Sequence, residues 1–264
     1  MSKISKFFDQ QGQPKALISF LTAGDPTPAH TVPAMHALVA GGVDILEVGG
    51  PFSDPEAEGP AIQASSERAL ENGITLARVL DMVSEFRTTN SDTPIVLMGY
   101  LNSILAMDSF AQRAQAAGVD GLIMVNLPPE SAGELQAELK SCDIDLSYLI
   151  APTTTDERAR YILDNAAGFV YYVSLKGITG ADNLDTDAVS ARLSELRQYT
   201  KLPLCVGFGI KTPETAGQVA QFADGVVIGS ALVNLLAEFR HDVQAGASAL
   251  TDAASALRRG VDNQ

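Results

Sequence analysis

The chain has 264 residues, 46% of them hydrophobic and 19% charged, which is enough to enclose one large core or two smaller ones. Eighteen Lys and Arg against 32 Asp and Glu give a net charge of −14, so the overall field would repel a nucleic-acid backbone or an anionic membrane. Two cysteines cannot build a disulfide framework, and the three histidines show no metal-ligand spacing. We therefore expect no metal site, no nucleic-acid partner and no membrane partner.

The N-terminal residues MSKISKFFDQQG place Ile4, Phe7 and Phe8 at helical spacing. They contain no apolar stretch long enough for a signal peptide or a membrane span, so a short helical segment is expected. Both cysteines lie in or beside apolar runs, which indicates buried structural thiols, and a reducing, cytoplasmic location is the default expectation.

Eight short apolar runs follow in chain order, each rich in Val, Ile, Leu or Tyr and apolar on both faces, as buried parallel strands are. They cover residues 16–22, 43–48, 94–100, 121–125, 146–151, 169–174, 203–207 and 225–229. A segment with helical periodicity follows each run, with Pro at helix starts and Gly after helix ends. The predicted helices include residues 109–117, 129–139, 156–165 and 213–222, with an Ala-rich closing helix over 242–258.

Eight consecutive strand–helix units indicate an α/β protein with a single (βα)8 TIM barrel over residues 1–264. In such a barrel the N-terminal helical segment would plug the bottom, and the C-terminal helix would be an added closing element. No shift in composition marks a domain boundary. A doubly wound sheet built from the same units is the alternative, because a single sequence does not reveal the order of its strands.

A pair of carboxylates stands out where a barrel places its functional groups, at the carboxyl ends of the strands. Glu47 interrupts the second apolar run near its end, and burying a carboxylate there is costly unless it is paired or used. The loop that follows carries Glu58 among other acids before a helix begins near Pro60. Two carboxylates in different environments suit general acid and base chemistry, while a structural ion pair at Glu47 is the alternative.

Small residues follow the last three apolar runs. The segment SLKGITGADN (174–183) is either a mobile active-site loop or an ordinary long turn. Gly207 and Gly209 follow run seven, and Gly229 and Ser230 follow run eight, where barrels commonly bind phosphate at a helix N-terminus. The sequence has no complete motif for an ATP, dinucleotide, serine-hydrolase or zinc-protease site. Phosphate binding is therefore expected at the two loops that follow runs seven and eight.

Over essentially its whole length the sequence resembles the tryptophan synthase alpha chain family. The matching stretches keep the family's order and spacing: AGDP (23–26), LEVGGPFSDP (46–55), GPAIQ (59–63), MGYLN (98–102), LPPE (127–130), YYVSLKGITGA (171–181), GFGIKTPE (207–214) and IGSALV (228–233). The agreement is far more specific than any single motif.

The resemblance implies a barrel that cleaves indole-3-glycerol phosphate by a retro-aldol reaction into indole and glyceraldehyde 3-phosphate. It implies no cofactor in this chain, and a beta subunit that carries pyridoxal phosphate and receives the indole in an α2β2 complex. It assigns the catalytic acid/base to Glu47 and the carboxylate that holds the indole N–H to Glu58. The other implied substrate-site positions are the pocket walls Phe20, Tyr100, Tyr171 and Phe208, and Thr179, the loop residue that orients the second carboxylate. The implied phosphate contacts are Gly180, Gly209, Gly229 and Ser230, and the implied partner contacts are Asp54, Pro55, Asn102 and Pro128.

Four positions near the expected mouth depart from the family pattern. The family usually has Asp at Glu58, a bulky apolar residue at Gly50, Asp at Asn126 and Pro at Ser103. Glu58 keeps the charge but adds a methylene, and a misplacement of about 1 Å at a reacting group can slow a reaction about a hundredfold. Gly50 removes side-chain volume, and Asn126 keeps hydrogen-bonding capacity but loses a charge.

Three hypotheses stay open on the sequence. The first is a working alpha subunit with lyase activity. The second is a relative whose lyase is impaired and which mainly binds and activates a beta-type subunit. The third is a related barrel that acts on another phosphorylated substrate, with Gly50 making room for it.

Overall fold

The computed structural model describes residues 2–10, 15–174, 185–207 and 209–263. Within these residues nine strands form one fully parallel sheet, and every predicted apolar run lies on it. In chain order the strands are β1 Ala16–Thr22, β2 Ile45–Gly49, β3 Ile95–Gly99, β4 Gly121–Met124, β5 Asp145–Ser147, β6 Leu149–Ile150, β7 Val170–Val173, β8 Leu204–Gly207 and β9 Gly225–Ile228.

The sheet curls into a nearly closed barrel. Its strand order is β5-β4-β3-β2-β1-β9-β8-β7-β6, so β5 and β6 lie at its two ends. These two strands are halves of the fifth predicted run and are separated in the chain by Tyr148 alone. The carbonyl of Tyr148 accepts a hydrogen bond from the N–H of Tyr171 at 3.0 Å. The chain thus joins both ends of the sheet, which confirms the α/β barrel and excludes a doubly wound sheet.

Twelve α-helices in the described residues surround the strands or cover their ends. They are α1 Lys3–Phe8, α2 Pro28–Ala40, α3 Pro60–Glu71, α4 Leu76–Arg87, α5 Leu101–Leu105, α6 Phe110–Ala117, α7 Gly133–Ser141, α8 Asp156–Asn165, α9 Thr186–Leu196, α10 Pro213–Ala220, α11 Ser230–Ala237 and α12 Val243–Asp262. None of these helices is long and apolar enough to cross a membrane.

The helix predicted over 129–139 is divided in the structure. A 3-10 turn covers Pro129–Ser131, and α7 begins only at Gly133. The reason is the local hydrogen bonding, because Ser131 and Ala132 donate to carbonyls three residues back, and the two adjoining prolines have no N–H to donate.

The N-terminal helix α1 plugs the bottom of the barrel, as predicted. Ile4 is fully buried in the barrel interior, and the ring of Phe8 lies 6.4 Å from that of Phe169. At the start of β4, a Cβ added to Gly121 would lie 2.6 Å from the Ile4 side chain, so the strand has a glycine where the plug enters.

The C-terminal helix α12 closes the helical layer beside α2 and α10. The guanidinium of Arg258 binds the carboxylate of Asp44 at 2.9 Å and the carbonyl of Lys15 at 3.0 Å. The helices approach closely, since a Cβ added to Gly41 would lie 2.5 Å from that of Ala254. The helix ends at Asp262, four residues beyond the predicted boundary.

Candidate active site

A cavity of about 350 Å³ lies at the carboxyl ends of the strands, a volume that suits a small-molecule ligand. Residues from both halves of the barrel line it. They are Phe20, Glu47, Glu58, Gly59, Pro60, Ala61, Ile62, Met98, Tyr171, Gly209, Ile210, Lys211, Val227, Gly229, Ser230 and Asn234. The described residues contain no group of His, Cys, Asp and Glu side chains that could hold a metal ion.

The buried acid of this cavity is Glu47. On strand β2, Glu47 is paired in register with Phe20 on β1 and with Val96 on β3. Both of these side chains belong to the barrel interior. Glu47 is 1% exposed, and burial together with the charge of Glu58 raises its pKa to about 8. Among the described residues, its Oε2 has no hydrogen-bond partner. No described residue forms a salt bridge with Glu47. The side chain is thus a protonated acid near neutral pH, and the ion-pair alternative is not supported.

The second carboxylate, Glu58, lies in the loop between β2 and α3 and is half-buried. Its Oε2 accepts a short hydrogen bond from the hydroxyl of Tyr100 and a longer one from the N–H of Ala57, at 3.2 Å. Its backbone carbonyl accepts a bond from the side-chain amide of Gln63 at 2.8 Å, which ties the loop to α3. The site therefore combines one buried protonated acid with one solvent-accessible carboxylate.

Glycines make room for the aromatic walls of the cavity. A Cβ added to Gly49 would lie 2.5 Å from the ring of Phe20, and one added to Gly207 would lie 2.1 Å from the hydroxyl oxygen of Tyr171. Burial, and then the charge of Glu47, raises the pKa of the Tyr171 phenol well above its ordinary value. Gly207, which the sequence placed among the small phosphate-side residues, serves this close packing and does not line the cavity.

The part of the cavity lining that follows β8 and β9 is suited to an anion. Gly209 has a φ of +78°, a conformation that favours glycine, and Gly229 directly precedes α11. Ser230 is the first residue of α11 and Asn234 lies one turn further on, both lining the cavity. The first N–H groups of a helix lack intrahelical partners, and the helix dipole favours negative charge there. Lys211 also lines the cavity and adds a positive charge.

The structure brings together most of the site residues that the sequence predicts. Seven of them line the cavity, namely Phe20, Glu47, Glu58, Tyr171, Gly209, Gly229 and Ser230. Tyr100 does not; it lines a side cavity of about 10 Å³ together with Glu58. Thr179, Gly180 and Phe208 lie outside the described residues.

Nine of the sixteen lining residues were not predicted as site residues, and Ile62, Lys211 and Asn234 are three of them. Two of the three carried a usable signal. Asn234 is four residues after Ser230 on one helix, hence on the same face, and Lys211 is two residues after Gly209 in the same loop.

The positions implied as partner contacts follow β2, β3 and β4 in the chain, with Asn102 on α5 and the other three in loops. Asp54, Asn102 and Pro128 are exposed, and Pro55 is half-buried. Beside Asn102 on α5, Leu105 is 74% exposed, the largest exposure among the big apolar side chains of the described residues. Leu105 is not among the predicted partner contacts, although exposed apolar side chains are typical of protein interfaces.

Two departures from the family pattern lie at hydrogen bonds near the start of α5. The side-chain oxygen of Asn126 accepts a bond from the N–H of Leu101 at 2.9 Å, an acceptor role that Asp would share. Ser103 donates its own N–H to the carbonyl of Tyr100 at 3.1 Å, which a proline there could not do.

The departure at Gly50 affects packing outside the main cavity. A Cβ added to Gly50 would meet only the carbonyl oxygen of Met98, at 3.8 Å, which is an ordinary contact. Gly50 also borders a void of about 30 Å³ between β3 and the helices, with a mainly apolar lining that includes Leu76, Leu97, Ile104, Phe110 and Leu122. Gly50 also borders the side cavity of about 10 Å³ that Glu58 and Tyr100 line, but it does not line the 350 Å³ cavity.

Comparison with known proteins points to one family. The family model described as tryptophan synthase alpha chain matches residues 8–261. The tryptophan synthase alpha chain of Thioalkalivibrio sulfidiphilus is 49% identical over 99% of this chain and 100% of its own length. That of Marinobacter nauticus is 48% identical over 100% of this chain and 99% of its own.

Solved structures give the same result. Tryptophan synthase subunit alpha from Legionella pneumophila superposes with a TM-score of 0.91 at 43% identity, over 100% of both chains. A chain of the aminoacrylate-bound tryptophan synthase from M. tuberculosis superposes with a TM-score of 0.87 at 33% identity, over 99% of this chain and 100% of that one.

Proposed function

This chain belongs to the tryptophan synthase alpha chain family, and on that basis we propose that it cleaves indole-3-glycerol phosphate into indole and glyceraldehyde 3-phosphate. Its role is that of an alpha subunit in tryptophan biosynthesis. The observation that carries the proposed reaction is the carboxylate pair of one cavity, with Glu47 buried and its pKa raised to about 8, and Glu58 half-buried.

Glu47 is the proposed proton donor. With a pKa of about 8 it is largely protonated at neutral pH and can give its proton to C3 of the indole ring. Protonation at C3 leaves the ring nitrogen positively charged. The carboxylate of Glu58 accepts the N–H hydrogen bond and stabilises that charge, which is greater in the transition state than in the bound substrate.

Glu47 then acts as the base of the second half-reaction. Its carboxylate removes the proton of the hydroxyl group on the carbon attached to C3, and this oxygen becomes the aldehyde oxygen. The C–C bond breaks, its electron pair returns to the ring, and neutral indole is formed. Glu47 is protonated again at the end of the cycle, so protons and electrons balance without any further reactant.

The remaining cavity residues bind and orient the substrate in this proposal. Phe20 and Tyr171 are walls for the indole ring, and Gly209, Gly229 and Ser230 hold the phosphate at the start of α11. Thr179, Gly180 and Phe208 are assigned to the same site by the family resemblance alone.

The proposed chemistry is proton transfer and needs no cofactor in this chain; pyridoxal phosphate is expected only in the beta subunit. We further propose an α2β2 complex in the cytoplasm, in which the loops carrying Asp54, Pro55, Asn102 and Pro128 face the beta subunit. The exposed Leu105 extends that surface with an apolar side chain.

The reaction is tested with the purified chain, a beta subunit of the family and indole-3-glycerol phosphate. Release of glyceraldehyde 3-phosphate is measured against Glu47→Gln, which keeps the shape of the side chain but carries no transferable acid proton. No turnover above that control would overturn the proposed reaction.

The variant Glu58→Asp decides between a working site and an impaired one. A large gain in rate on shortening the side chain would mean that Glu58 cripples the lyase. Little change, or a loss, supports a site adapted to the longer carboxylate.

A further inference from the structure

Tyr100 holds the loop that carries Glu58 at three points. It follows β3 directly, is 2% exposed, and stacks its ring on that of Phe52 with centroids 4.5 Å apart and planes 16° apart. Its hydroxyl oxygen accepts the N–H of Glu56 at 2.9 Å, and the same hydroxyl donates to Oε2 of Glu58. One buried phenol therefore fixes both the backbone of this loop and its functional carboxylate.

The two oxygens of that carboxylate have different surroundings. Tyr100 and the N–H of Ala57 both donate to Oε2. Among the described residues, Oε1 receives no hydrogen bond, although Glu58 lines the main cavity. A carboxylate held by one oxygen keeps the lone pairs of the other for a ligand N–H.

The extra methylene of Glu58 makes this anchor necessary. Compared with the Asp of the family pattern, Glu has one more rotatable bond, so its carboxylate can occupy more positions and loses more entropy when fixed. A hydrogen bond donated to a charged oxygen is strong enough to select one of those positions. Burial, and then the hydrogen bond to Glu58, raises the pKa of Tyr100, so the phenol stays a donor at all physiological pH values.

We propose that Tyr100 is a positioning residue, which anchors Oε2 of Glu58 so that Oε1 is presented to the N–H of the indole ring. This inference rests on the proposed function and goes beyond the role of Tyr100 as a wall of the substrate pocket.

The variant Tyr100→Phe tests this positioning role, because phenylalanine keeps the ring and its stacking on Phe52 but lacks the hydroxyl. We expect kcat to fall about tenfold or more while KM changes less than about threefold, because Glu58 acts mainly on charge that develops in the transition state. Tyr148→Phe is the matched control. Tyr148 is also buried and its hydroxyl has no hydrogen-bond partner among the described residues, so its loss is expected to leave the kinetics near those of the wild type.

A double-variant cycle shows whether Tyr100 acts through Glu58. In a Glu58→Gln background, Tyr100→Phe is expected to lower kcat by no more than about twofold, because the group it positions is already altered. Wild-type kinetics in Tyr100→Phe, or losses that multiply independently in the double variant, would overturn the proposal.

Indole binding tests the positioning role of Tyr100 independently of the proposed lyase reaction. A wild-type chain without lyase activity contradicts the reaction, but the same four proteins can still be titrated with indole by calorimetry. We expect Tyr100→Phe to weaken indole binding by about two- to threefold, and only when Glu58 is present. Indole affinity that does not respond to Tyr100→Phe overturns the positioning role, whatever the turnover.

Discussion

Replacing Glu47 by Gln should make the stability of this protein less dependent on pH. The pKa of Glu47 is about 8 in the folded chain, against an ordinary carboxyl value of 4.5. Between pH 4.5 and pH 8 the Glu47 side chain is ionised in the unfolded chain and protonated in the folded chain. Rising pH therefore favours the unfolded state by about 1.36 kcal/mol for each pH unit, and this cost stops growing above pH 8. Below pH 4.5 both states are protonated and the contribution vanishes.

The expected magnitude follows directly from this slope. Between pH 5 and pH 7, the wild type should lose about 3 kcal/mol of unfolding free energy relative to Glu47→Gln, whose side chain does not titrate. Urea unfolding followed by far-UV circular dichroism measures this difference, and is suitable because the chain has no Trp. Glu85→Gln, which removes an exposed carboxylate on α4, controls for the loss of one negative charge.

A constant difference between wild type and Glu47→Gln over this range would refute the reasoning. It would mean that Glu47 ionises in the folded protein as readily as in water, and that the cavity does not hold a protonated acid. The result would also remove the proton donor from the proposed reaction. A pH-dependent difference that Glu85→Gln reproduces would assign the effect to net charge instead of to burial.

The other predictions concern the mouth of the barrel, its lower end and the reaction itself. Gly50→Ala should raise the unfolding free energy by about 0.4–1 kcal/mol in urea titrations, since the added Cβ meets nothing closer than 3.8 Å. The neighbouring Gly49→Ala should lower it by about 1–3 kcal/mol and raise KM, because its Cβ would lie 2.5 Å from the ring of Phe20. Arg87→Met should cost about 3 kcal/mol in the same titrations, because the guanidinium binds three backbone carbonyls and a buried carboxylate 2.6 Å away. In steady-state assays kcat should fall as pH rises through about 8, where Glu47 loses its proton; a flat profile to pH 10 would contradict its role as the acid.

The succession of strands along the chain and the place of Glu47 could be predicted, because both depend on local pattern. Runs apolar on both faces mark strands that are covered on both sides, and eight of them in alternation with helices leave few topologies. The break at Tyr148 in the fifth run could not be predicted. It depends on where the two ends of the sheet meet, which is a property of the closed barrel and leaves no mark on the apolarity of the run.

The parts of the site that the sequence did not reveal depend on contacts between residues far apart in the chain. Tyr100 and Glu58 are separated by 42 positions, and their hydrogen bond needs the loop after β2 to fold back over the end of β3. The family pattern placed Tyr100 among the pocket walls, because an aromatic residue at a strand end is equally suited to stacking on a ligand or to holding a loop. Only the position of its hydroxyl distinguishes these roles.

The departures from the family pattern at Glu58, Asn126 and Gly50 favour the proposed lyase over an impaired one when each is followed to its contacts. The extra length of Glu58 is taken up by the hydroxyl of Tyr100, which fixes one carboxylate oxygen and leaves the other toward the cavity. Asn126 retains the oxygen that binds the N–H of Leu101, so the charge that it lacks is not needed to begin α5. Gly50 borders a void in the helical layer and the small side cavity beside Glu58, but it does not line the cavity that holds Glu47. A chain released from selection for catalysis would have no reason to keep a buried acid whose pKa of about 8 destabilises the fold at neutral pH. Glu47 thus lowers the stability of the protein in the same pH range in which the proposed reaction needs its proton.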